Sequence, residues 1–122
     1  MKIIAFFDSD YNFSARLAKI CDIDSNELIF LNGFNHLVQY KDKKSNTLII
    51  IDIDDYKDSL DDAINDIKAH VDFPIYGLID KMNIKIHKHA TKIGFDIIMT
   101  KSMFLYNIRT IKKQLKNASR KS

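Results

Sequence analysis

Short apolar runs closed by an acid or a turn alternate along this chain with stretches whose apolar residues recur at helical spacing. Ile3 to Phe7 stops at Asp8-Ser9-Asp10 and reads as a buried strand with an acidic loop after it. Phe13, Leu17 and Ile20/Cys21 then mark a first helix. Leu28 to Leu31 is a second strand, Asn32-Gly33 a turn, and Phe34, Leu37, Val38 and Tyr40 a short second helix. After a polar connector from Lys41 to Asn46, Leu48-Ile49-Ile50-Ile51 is apolar without alternation, which predicts burial on both faces, as in a parallel sheet. Leu60, Ala63, Ile64, Ile67 and Val71 define an amphipathic helix opened by Asp58 or Ser59. Pro74 ends that pattern, and Ile75 to Ile79 is a fourth strand. Met82, Ile86, Ala90 and Ile93 line a fourth helix that Gly94 terminates, Ile97 to Met99 is a fifth strand, and Leu105, Ile108, Ile111 and Leu115 line a last helix. Five strands alternating with five helices predict an α/β fold, a five-stranded parallel sheet with helices on both faces.

At 122 residues, the chain is of a size for one domain. We place it at residues 1–117, with 118–122 as a basic tail or linker. Apolar residues at 46% and charged residues at 29% match a soluble globular protein, and three Gly with one Pro leave little room for long irregular loops. The opening apolar run is too short for a signal-peptide core or a membrane span, so a cytoplasmic protein without membrane contact is expected. Cys21 is the sole cysteine, which excludes an internal disulfide and a thiolate metal cluster; its apolar neighbours make it a core thiol. His87 and His89 point to different sides of a helix and His36 and His70 lack local partners, so none of the four is read as a metal ligand.

Charge is unevenly shared along the chain. Residues 1–66 carry 13 acids against 7 bases, and residues 67–122 carry 3 acids against 12 bases. Lys112, Lys113, Lys116, Arg120 and Lys121 form a basic end without interleaved aromatics, read as a solvated helix face or a linker to an output domain, not a nucleic-acid site.

In a parallel α/β sheet the working site lies beyond the carboxyl ends of the strands, near the point where strand order reverses. That rule gathers Asp8, Ser9, Asp10, Asp52, Asp54, Asp55, Asp80 and Lys101 at one rim. Converging carboxylates favour a hard cation such as Mg²⁺. Asp52 is placed to act as a carboxylate nucleophile toward a phosphoryl donor, with Lys101 balancing the added charge. Asp54, Asp55 and Asp58 are read as solvated loop acids.

The stretch Gly94-Phe95-Asp96-Ile97-Ile98-Met99-Thr100-Lys101-Ser102-Met103-Phe104-Leu105 resembles the Gly-x-Asp-x-x-x-x-Lys-Pro-Phe pattern of the receiver domains of bacterial response regulators. Strand four, Phe73 to Ile79, resembles its counterpart there, and the likeness spans essentially the whole chain. The resemblance implies a flavodoxin-like receiver (βα)5 topology. It further implies Asp52 as phosphoacceptor, Lys101 as the lysine that meets the phosphoryl group, and Asp8, Asp10 and Asp52 around a weakly held Mg²⁺.

The departures matter as much. Ser9 stands where the family has a second consecutive acid, and Asp10 comes one position late. Ile79 replaces the hydroxyl residue that ends strand four, Ile98 replaces the aromatic that turns with it, and Ser102 replaces the proline after the lysine. The resemblance therefore implies an atypical or pseudo-receiver, acting in two-component signalling through protein binding and through phosphorylation of Asp52. Its partners are a sensor kinase or other signalling protein. A second copy is a further partner, through the face of the fourth helix, fifth strand and last helix, where Met103, Phe104 and Tyr106 are candidates. The competing reading is a small Mg²⁺-dependent phosphohydrolase using Asp8 and Asp10, after the Asp-x-Asp opening of haloacid-dehalogenase-type phosphatases.

Overall fold

The computed structural model describes residues 1–41 and 46–121, with side chains described as far as residue 117. The centre of the expected connector, residues 42–45, lies outside the described residues. Strand β1 (Lys2–Phe6) leads into helix α1 (Tyr11–Ile23), β2 (Glu27–Phe30) into a 3-10 helix (Phe34–Tyr40), and β3 (Thr47–Asp52) into α2 (Leu60–His70). Then β4 (Ile75–Ile79), α3 (Ile84–Ile93), β5 (Ile97–Thr100) and α4 (Lys101–Lys121) complete the chain. The strands form one parallel sheet in the order β2-β1-β3-β4-β5.

Position in that order explains the sequence pattern. All six residues of β3 and all five of β4 are buried, because each has a strand on both sides and helices on both faces. Edge strand β2 is exposed at Glu27 and Phe30, so its run is shorter and less apolar. Alternate residues of each strand point to opposite faces. Ile4, Phe6, Ile49 and Ile51 therefore pack with α2, α3 and the 3-10 helix, and Ile3, Ala5, Leu48 and Ile50 with α1 and α4. Cys21 is in the second of these clusters, with burial pushing its thiol up to about 11.

Two local expectations change. The second helix is a 3-10 helix with only Leu37 buried, since seven residues between two loops give too few backbone bonds to settle an α-helix. Met82 is exposed and precedes α3, which starts at Ile84 because the Asn83 side chain accepts the Ile86 N–H at 3.2 Å and caps the first turn. Ser59 is the N-cap of α2, without a side-chain bond. Gly94 does end α3, at φ 122, with its N–H given to Ala90 O at 3.2 Å.

Gly77 sits in the middle of β4, where a Cβ would run into Ile53 Cδ1 and lie 2.9 Å from Ile98 Cδ1. Strand propensity favours Val there by at most about 1 kcal/mol, while overpacking a close-packed core costs about 1–3 kcal/mol. Crowding wins, so Gly77→Val is expected to lower the urea-unfolding free energy by about 1–2 kcal/mol. Unchanged or higher stability would show that Ile53 and Ile98 move aside freely.

Candidate functional site: a buried lysine among three carboxylates

The carboxyl ends of β1, β3 and β4 and the start of α4 meet at one rim. Lys101 is the first residue of α4, directly after β5, and is 7% exposed. Thr100 Oγ1 accepts the Met103 N–H at 3.2 Å, which lets the strand turn into the helix without a loop. The Lys101 ammonium lies over the Phe7 ring, with Nζ 5.8 Å from the ring centroid. The ammonium lies 2.8 Å from Asp10 Oδ2, 2.9 Å from Asp52 Oδ2 and 3.0 Å from Asp80 Oδ1. Only the contact with Asp10 has hydrogen-bond geometry; the other two are ion pairs by proximity.

Asp52 ends β3 and is 1% exposed. Its Oδ1 accepts the Asp54 N–H at 3.0 Å, while Oδ2 is buried without a hydrogen-bonded partner among the described residues and has only the ammonium beside it. Burial pushes its carboxyl up to about 6, against the pull of Lys101. Burial drags the Lys101 ammonium down, but the carboxylates of Asp10, Asp52 and Asp80 outweigh it and hold the pKa above the ordinary lysine value. The bond from Lys101, and then that from the Phe13 N–H, holds Asp10 below the usual carboxylate range.

Asp10 does two jobs, since its Oδ1 also accepts the Phe13 N–H at 3.0 Å and caps α1. An acid three residues before Phe13 at the start of an apolar helix is a local N-cap signature that the sequence does carry. Asp55 is not a solvated loop acid. Its Oδ2 accepts the Asp8 N–H at 2.7 Å and its Oδ1 accepts from the Ser9 hydroxyl, pinning the loop after β1. Burial raises the Asp55 carboxyl, and these donors more than reverse it, leaving it lowered. Asp54 is exposed but accepts the Asp80 N–H at 3.1 Å, which fixes the loop after β4. Asp80 belongs to the rim as expected from the strand ends; its hold on the lysine is not visible in any local pattern.

Asp8, Asp10 and Asp52 do not gather into a Mg²⁺ site in this arrangement. Both oxygens of Asp10 are engaged, and the ammonium occupies the place where a cation would balance the rim. Among the described residues no three carboxylate, imidazole or thiol groups are placed to hold an ion. Burial, then Asp8 and Asp55, pushes the Tyr56 phenol up to about 12. His89 pairs with Asp61 at 2.9 Å and His70 meets Asp66 O at 2.7 Å, both at the surface. No helix among the described residues is long and apolar enough to cross a membrane.

The fold has counterparts among solved structures. A response regulator from Hahella chejuensis superposes with a TM-score of 0.65 over 98% of this chain and 93% of that one, at 17% identity. The chain has the receiver fold. A response regulator in red light signaling of R. palustris matches with a TM-score of 0.63 at 14% identity, over 90% of each chain. No family model and no curated protein matches the sequence. On this receiver fold Asp52 and Lys101 meet as the sequence resemblance implies, Ile79 and Ile98 are both buried aliphatics, and the phosphohydrolase reading is not favoured. Of its two acids, Asp10 is taken up by the α1 cap and Lys101.

Asp52 sets a pH dependence whose sign follows from its raised carboxyl. Below about pH 4 it is protonated folded and unfolded alike; as pH climbs toward 6 the unfolded chain gives up the proton more readily, so folding stability falls. Asp10 and Asp55, held low, contribute in the opposite sense, with stability lost as pH falls through their folded values. Asp52→Asn is expected to be more stable than the parent above pH 6, by about 1–3 kcal/mol, and to lose that advantage by pH 4. Urea titrations across pH 4–8 measure it; a variant no more stable at pH 7 contradicts the assignment.

Proposed function

We propose that this chain is an atypical receiver domain that acts in bacterial signal transduction by binding other proteins, with Asp52 as its phosphoacceptor. The observation that carries the reading is Asp52 Oδ2: buried, without a hydrogen bond, and 2.9 Å from an ammonium at the carboxyl end of β3. A lone pair so placed can attack phosphorus. The new P–O bond forms as the bond to the donor's leaving oxygen breaks, and the leaving group departs with that electron pair. Lys101 then balances charge on the transferred group without giving up its proton, because its neighbouring carboxylates favour the ammonium. The chain does no catalysis beyond this self-modification. Mg²⁺ is a weak ligand in this reading, since Ser9 offers no carboxylate and both oxygens of Asp10 are otherwise engaged.

The usual relay from phosphoryl group to surface is replaced. Ile79 has no hydroxyl and Ile98 no ring, so a phosphorylated site reports through the lysine and its carboxylates. A sensor kinase or another signalling protein is the natural partner. A second copy is the natural occupant of the face where Ile84 of α3, Ile97 of β5 and Met103 of α4 are exposed; Phe104, by contrast, is core.

Acetyl phosphate with Mg²⁺ is expected to add one phosphoryl group, seen by intact mass, and Asp52→Asn to abolish it. Asp80→Ala should speed the reaction several-fold by removing a carboxylate that repels the incoming anion. An adduct that survives in Asp52→Asn moves the site elsewhere, and no adduct on folded protein leaves a binding module with an inert rim. For the dimer, Met103→Asp combined with Ile97→Asp should shift sedimentation velocity toward monomer; an unchanged dimer would place the interface elsewhere.

A further inference from the structure

Apart from the rim, α1 and α4 leave an open groove of about 330 Å³ between them. Its walls are Ile20 and Ile23 of α1 and Leu105, Tyr106 and Ile108 of α4. Ile23 is 66% exposed and Tyr106 87%, so two large apolar side chains stand in water at its edge. At one end the groove shares Asp24 and Arg109 with a second depression of about 310 Å³, whose other walls are Lys112, Lys113 and Lys116. Tyr106, Arg109, Lys113 and Lys116 are spaced three, four and three apart and therefore lie on one helical stripe.

The charge of this stripe is only partly answered within the chain. Asp24 gives both oxygens to Arg109, at 3.1 Å each, and its carbonyl oxygen accepts from Lys112 Nζ at 3.3 Å. Lys113 and Lys116 are exposed and carry no ion pair among the described residues. Hydrophobic floor and unanswered cations thus run end to end. From Leu105 to Lys116 the stripe is about 16 Å long, the length of three helical turns.

We infer that the α1/α4 groove binds an amphipathic helix of a partner protein, whose apolar stripe packs on Ile20, Ile23 and Tyr106 and whose acidic end meets Lys113 and Lys116. Helix-in-groove recognition uses anchors at three- and four-residue spacing, which the floor matches, and the lysines set the helix direction. A nucleic acid would want stacking platforms, and Tyr106 is the one aromatic on the stripe. The inference rests on the reading of the chain as a protein-binding receiver and adds the partner's chemistry.

A display library of random 16-residue peptides, selected on the intact protein, tests it, with a 20-base-pair duplex DNA as the competing ligand. Selected peptides should be rich in Asp and Glu toward one end, with apolar residues at helical spacing. They should perturb the amide signals of Ile20, Ile23 and Tyr106. Lys113→Glu with Lys116→Glu, and separately Tyr106→Ala, should each weaken binding at least tenfold. Peptides without acidic enrichment, peptides that map elsewhere or bind the charge-reversed protein equally, or tighter binding of the DNA, would each overturn the inference. Acetyl phosphate labelling of the same preparation keeps it separate from the Asp52 reading: labelled protein with an empty groove sinks this proposal alone.

Discussion

An ammonium buried at the end of a parallel sheet constrains everything around it. Desolvating such a group costs several kcal/mol unless carboxylates meet it at close range. Lys101 meets three, from the segment after β1, the end of β3 and the segment after β4. Those acids are far apart in sequence and converge only when β1, β3, β4 and β5 lie side by side in register. The direct passage from β5 into α4 serves the same end, because a longer loop would lift Lys101 out of the rim. Loops respond to it as well. Asp55 fastens the turn after β1 and Asp54 the turn after β4, so two further acids are spent in holding the first three in place.

The sheet also accommodates aliphatic side chains at Ile79 and Ile98. Ile79 and Ile98 are buried, and Ile98 packs toward Gly77, where the missing Cβ makes room for it. A ring at Ile98 would meet that crowded spot; an isoleucine fills it and stays. With hydroxyl and ring both absent, charge is the remaining currency of the site. A phosphoryl group on Asp52 would compete with Asp10 and Asp80 for the ammonium, and Asp10 is also the cap of α1. Any reorganisation of the lysine is therefore felt first at the start of that helix.

Much of this was legible in the sequence, for reasons that also mark where legibility ends. Leu48 to Ile51 announces a central strand because burial on both faces removes alternation, and Asp52 and Lys101 stand out as charges at the ends of such runs. The strand order follows from resemblance and not from any periodicity. What the pattern misses is of two kinds. The 3-10 helix and the late start of α3 turn on a few backbone and capping bonds, where propensity differences are tenths of a kcal/mol. The roles of Asp55 and Asp80 depend on partners in other βα units, and no local feature separates an acid that pins a loop from one that is solvated.

Helix α1 joins the rim to the groove. Its first turn is tied to α4 through Asp10 and Lys101, and its far end through Asp24 and Arg109. The first tie is partly buried, so solvent screens it little; at the second, Arg109 is largely exposed and the pair adds little stability. A 13-residue helix about 20 Å long moves as a unit, so a shift at the strong tie displaces the weak one, where the apolar groove opens. Linkage makes the relation reciprocal. A ligand that favours one spacing of α1 and α4 would shift the balance between the two arrangements of Lys101 and its carboxylates by its ratio of affinities for them, and no hydroxyl or aromatic relay is needed to carry it.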